Sequence, residues 1–170
     1  MTQTRRQALA MIGGTTAAAV LPTSLLADSH ATAEPQTIIV EMLTKDPADK
    51  KNTMIFNPPV VMANVGDTVK FVPTDKTHLC ESDPKMLPAG GDEWKGKTNK
   101  EVEVTFTTEG TYGYFCKPHR SMGMVGLVLV GDPSSNYEEA RGAKQRGRAK
   151  KRYDEYFAMA DEMIAEMKSS

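Results

Sequence analysis

The chain has 170 residues, 39% of them hydrophobic and 25% charged, with 21 basic against 22 acidic residues and a formal net charge of −1. That length suits one domain with a short extension, and the composition excludes collagen-like, fibrous and wholly disordered chains. A near-neutral balance argues against a general nucleic-acid binder, and two cysteines cannot build a disulfide-rich scaffold or a four-cysteine zinc site.

Arg5 and Arg6 form a twin-arginine pair, an uncharged run follows from Gln7 to Ala27, and small residues around Ala31 and Ala33 offer cleavage sites. Residues 1–33 therefore read as a bacterial twin-arginine signal peptide that delivers residues 34–170 to the periplasm. Thr15, Thr16, Pro22, Thr23 and Ser24 make the run a poor membrane anchor, because a spanning helix needs about 20 strongly apolar residues. No stable membrane association is expected after cleavage. Loss of Arg5, Arg6 and Asp28 would leave 19 of the 21 basic and 21 of the 22 acidic residues. It would also leave two histidines, His78 and His119, and two cysteines, Cys80 and Cys116.

From Thr37 to Val130 the pattern is one of short strands. Thr37–Leu43 is β-branched and apolar, Met54–Asn57 ends at Pro58-Pro59, and Val60–Ala63 precedes a turn at Gly66-Asp67. Thr68–Val72 and Glu101–Thr107 alternate, the latter placing Val102, Val104 and Phe106 on one face. Thr111–Phe115 and Val125–Val130 follow. About seven strands at this spacing predict an all-β antiparallel sandwich. Residues 82–100, rich in Pro, Gly and charge, read as a long surface loop.

After Gly131-Asp132-Pro133 the period becomes helical. Ser134, Ser135 and Asn136 are candidate caps for a helix near Tyr137, and a second helix is predicted from about Arg148 to Lys168. Its apolar stripe of Ala149, Tyr153, Tyr156, Phe157, Ala160, Met163, Ile164 and Met167 should pack on the sandwich. The two C-terminal helices thus span about 136–168 within one 34–170 domain. Seven basic residues and no acidic one lie between Arg141 and Arg152, which reads as solvated helix ends.

The chemistry concentrates between two predicted strands. Cys116 is followed three residues later by His119 and five after that by Met124, so one loop offers a thiolate, an imidazole and a thioether. His78, at the end of an earlier strand, can supply a fourth donor. Two imidazoles, a thiolate and a weak thioether suit copper: the soft sulfurs favour Cu(I), the imidazoles accept Cu(II). Zinc could use the same donors, although structural zinc sites rarely recruit Met. A Cys80–Cys116 disulfide or a Cys–His nucleophile are the alternatives. The first leaves the Cys-x₂-His-x₄-Met spacing unexplained, and the second lacks a residue to orient His119.

With Gly66-Asp67-Thr68-Val69, Asp75-Lys76-x-His78, the Met-Gly-Met of the copper loop and the two terminal helices, the sequence resembles the pseudoazurins, blue type 1 copper proteins of the cupredoxin family. The resemblance implies a Greek-key cupredoxin sandwich and one copper ion per chain, cycling between Cu(I) and Cu(II). The implied ligands are His78, Cys116, His119 and Met124, with Met122 as a nearby competitor and Met54 in contact with the histidine side of the loop. It departs from the family at Leu79, where Asn is usual, and at Lys117, where Thr is usual. Cys80 is expected as a small buried hydrophobe.

The implied function is one-electron transport rather than catalysis. A nitrite reductase would need a second copper with its own histidines. The implied partners are copper nitrite reductase, nitrous oxide reductase or c-type cytochromes. They would dock near His119, Pro118, Met122, Lys76 and Lys117, with Arg120 adding positive charge, and the carrier is expected to be a monomer. A periplasmic copper carrier in metal homeostasis is the competing reading.

Overall fold

The computed structural model describes residues 34–169, so the signal-peptide reading of residues 1–33 lies outside the described residues. The strands are β1 (Thr37–Lys45), β2 (Thr53–Asn57), β3 (Val60–Ala63), β4 (Thr68–Val72), β5 (Glu81–Ser82), β6 (Val102–Thr105), β7 (Gly110–Phe115) and β8 (Val125–Val130). They form two sheets, ordered β2-β1-β4-β6 and β3-β8-β7-β5. The helices α1 (Tyr137–Gly142) and α2 (Gly147–Ser169) follow.

The sandwich and its two helices stand as the sequence predicts, but the sheets are mixed. β1 pairs with β4 and β3 with β8 in parallel, while the other pairings are antiparallel. Side-chain alternation has the same period in both arrangements, so the pattern of residues does not distinguish them. β5 lies at the edge of the segment read as loop; a bridge between Glu81 and Lys95 pins that loop back on itself.

Every residue of β8 is buried. Val128 and Val130 face the core between the sheets, with Phe56, Phe71, Tyr112 and Tyr114. Val125, Leu127 and Leu129 face a second core, against Tyr153, Phe157 and Ala160 of α2. A strand covered on both faces reads as a continuous apolar run, and VGLVLV is one. Gly126 sits opposite Tyr114, whose ring occupies the space that a Cβ would need.

The helices are fastened by buried polar bonds as well as by the stripe. Tyr153 Oη donates to the Tyr114 carbonyl at 2.9 Å. Asn136 does not cap α1 with its side chain. Its amide instead accepts from Thr111 N–H at 2.7 Å and donates to Thr111 C=O at 2.8 Å, satisfying the backbone at the start of β7. The basic stretch is only partly a solvated face. Arg141 pairs with Asp161. Arg152 donates to the carbonyls of Thr53, Met54 and Gly123 and to Asn52 Oδ1, at 2.6–3.0 Å.

Candidate metal centre

The β7–β8 hairpin extends one pair beyond its last strand residues, with Cys116 N–H donating to Met124 C=O at 2.9 Å. Between them a 3-10 turn, Lys117–Met122, folds His119 back over the hairpin end. Pro118 suits the first turn because its φ is already set and no N–H is required. Gly123 ends the turn in the left-handed region at φ 93°, which only glycine enters freely. Its N–H reaches Arg120 C=O at 2.9 Å, and Met124 N–H reaches His119 C=O at 3.1 Å.

His78 arrives separately, on the segment after β4. Its ring is fully buried, and Nε2 lies 3.1 Å from Thr44 Oγ1 on β1. A proton on Nε2, donated to that hydroxyl, leaves Nδ1 as a lone pair aimed at the β7–β8 loop. There it meets His119 Nδ1 at 3.1 Å, which in turn lies 3.5 Å from Cys116 Sγ. The three donor atoms all fall within 4.8 Å of one another. Two imidazole nitrogens and a sulfur this close together could serve one metal ion as common ligands.

Cys116 is fully buried and both cysteines are free thiols, so no Cys80–Cys116 disulfide forms. Burial pushes the Cys116 thiol up, while the backbone N–H groups of Leu79 and His119 pull it back by favouring the thiolate. The same burial, followed by the neighbouring His119, lowers His78 and so favours the neutral, ligating imidazole. Met124 is fully buried in the same core as Cys116, whereas Met122 is 39% exposed.

The chemistry of this donor set fits copper, and the comparisons with known proteins agree. The profile of copper-binding proteins of the plastocyanin/azurin family matches residues 43–131. A pseudoazurin from Paracoccus pantotrophus is 42% identical over 122 residues, covering 72% of this chain and 82% of that protein. One from Methylorubrum extorquens is 39% identical, covering 88% and 95%. The crystal structure of native pseudoazurin from Hyphomicrobium denitrificans is 47% identical, with a TM-score of 0.68 over 72% of this chain and 97% of that one. The chain belongs to the pseudoazurins. It is a copper protein with the cupredoxin fold, and its family is one of electron carriers.

Where this pseudoazurin departs from the family pattern at Leu79, the backbone N–H still serves the Cys116 sulfur. Cys80 is fully buried and accepts from the Trp94 indole N–H at 3.4 Å, as a small core residue would. Pro118 and Lys117 are exposed and His119 is half-buried. Arg120 is not the free surface cation expected: it is held by Asp83 and Gln145. Its neighbours Lys117, Lys144 and Arg146 line an open cleft of about 1030 Å³ between the ligand turn and the helices. These three make no ion pair among the described residues.

Sequence reasoning missed Thr44, Arg152 and Asp83. Thr44 carries a weak signal, a hydroxyl side by side with buried Met42 and Leu43 at the end of β1. The other two act on backbone or side chains far away in the sequence, and nothing local marks them.

Proposed function

We propose that the chain is a periplasmic one-electron carrier whose type 1 copper would be held by His78, Cys116 and His119, with Met124 as the weaker thioether donor. The observation that carries this reading is the convergence of the two Nδ1 atoms and the Cys116 sulfur. Burial of Met124, against the exposure of Met122, supports the choice of thioether. Bound there, copper supplies a Cu(II)/Cu(I) couple in a donor set acceptable to both oxidation states. His78 locks the site from the inside through Thr44. His119, half-buried between exposed Pro118 and Met122, is the port through which the electron passes.

Docking is brief and small in area, as redox encounters are. The apolar rim gives close approach, and Lys76, Lys117 and the cationic cleft steer an acidic partner surface. Copper nitrite reductase, nitrous oxide reductase and c-type cytochromes are the partners this reading favours. Residues 1–33 are the twin-arginine signal, and residues 34–170 are the exported domain. No described helix is long and apolar enough to cross a membrane.

The test is spectroscopic. Cu(II) added to the exported domain should produce an intense visible band that a mild reductant bleaches and reoxidation restores. Absence of the band would overturn the ligand assignment. With the band in hand, reduction by a c-type cytochrome should slow as ionic strength rises, the sign expected for opposite charges.

A further inference from the structure

Arg120 follows His119 directly, yet its side chain turns away from the donors. Its Nη2 donates to Asp83 Oδ2 and, at 2.7 Å, to Gln145 Oε1. Gln145 Nε2 closes the ring by donating to the same Asp83 oxygen at 2.8 Å. The guanidinium also stacks 4.1 Å from the centre of the Phe115 ring on β7. Asp83 is only 2% exposed, and its own backbone is fixed: its N–H donates to Gly113 C=O and its C=O accepts from Met86 N–H, both at 2.8 Å. Three segments therefore meet at one carboxylate: the turn after β5, the ligand turn and the α1–α2 connection.

An ion pair with one buried and one half-buried partner adds little to stability, because desolvating the Asp83 carboxylate offsets much of the attraction. What it does provide is direction. Two planar groups and a carboxylate bonded in a ring have one low-energy arrangement. Arg120 lies inside the 3-10 turn, where its carbonyl receives Gly123 N–H. Anchoring its side chain to β5 and β7 therefore anchors the backbone that carries His119.

We propose that Asp83, Arg120 and Gln145 are positioning residues for the copper loop, holding the His119 turn from outside the metal site so that its shape is the same with and without copper. The inference rests on His119 being a ligand. Its structural half, the pinned turn, can be read in copper-free protein and so fails or survives separately from the copper reading.

Asp83→Asn keeps the shape and removes the charge. In copper-free protein the Gly123 and Met124 amides should exchange with solvent at least about tenfold faster, while amides of β1 and β4 keep their rates. In copper-loaded protein the reduction potential and visible-band ratios should shift. Gln145→Leu, which spares the ion pair and cuts the third side of the ring, should move the same readouts less; it also serves if Asp83→Asn fails to fold. Unchanged loop exchange and potential in both variants would overturn the proposal. So would acceleration of all amides to the same degree, the mark of a purely structural pair.

Discussion

His78 reaches the site on an arm sealed into the interior, whereas His119 arrives on a turn that closes on itself near the surface. The first arm is held by distant partners. Thr44, 34 residues earlier, meets the ring, and Asn99 N–H donates to the His78 carbonyl at 2.9 Å. Leu79 and Cys80, which follow, are buried. The second arm is local: within Cys116–Met124 the backbone bonds run from Cys116 to Met124, from His119 to Cys116 and from Met124 to His119. An arm built at long range fixes a ligand and excludes water. One whose backbone closes at short range can sit at the edge of the fold, where an electron port must be, with only its side-chain ties to Asp83, Gln145 and Arg152 coming from a distance.

Breaking the short-range arm at its sulfur should have the largest effect. Cys116→Ser replaces a thiolate by a hydroxyl that stays protonated, so no thiolate-to-copper band can form. Absorbance after Cu(II) addition should show complete loss; a surviving blue colour would move the thiolate to Cys80. Arg152 tests how far that arm depends on the helices. Arg152→Ala strips bonds from the carbonyls of Thr53, Met54 and Gly123 together. It should cost about 3 kcal/mol in urea unfolding, given the worth of hydrogen bonds to a charged group. A loss near zero would mean that water replaces the guanidinium at all three carbonyls.

The same contrast explains what could be read from sequence. Cys116, His119 and Met124 fall within one turn, so their spacing alone announces a metal loop. The strands flanking it are legible because β8 is apolar throughout and Tyr112 and Tyr114 alternate on β7. The parallel pairings are not, since no residue in β1 or β3 records which strand lies beside it. Arg120 and Arg152 look like surface charges in a linear reading; only the folded chain brings Asp83 and the Gly123 carbonyl to them. His78 was identifiable as a donor, but Thr44 could not be assigned to it across 34 residues.

Thr44→Val sharpens the comparison on the buried side. The shape is kept and the oxygen partner of Nε2 is lost, leaving the ring free to turn. Removal of such an outer hydrogen bond lowers metal affinity about 10–100-fold, so competition against a Cu(I) chelator should show a drop in that range. An unaltered affinity would mean that packing alone orients His78.

Thr77, just before His78, carries the smallest and most informative test. It is β-branched and has φ 74°, a conformation that costs such a residue about 1–3 kcal/mol. What holds it there is the Asn99 side chain, whose Oδ1 accepts the Thr77 N–H at 2.5 Å. Thr77→Gly keeps that N–H and removes the clash. The greater freedom of glycine in the unfolded chain offsets about 0.4–1 kcal/mol of the gain. The variant should therefore be more stable by about 1 kcal/mol, seen as a higher urea midpoint at unchanged slope. Copper affinity should hold, because the bonds that orient His78 come from Thr44 and Asn99 and not from the Thr77 side chain. If stability rises while affinity falls, the stiffness of this residue is itself part of how the buried arm presents its ligand.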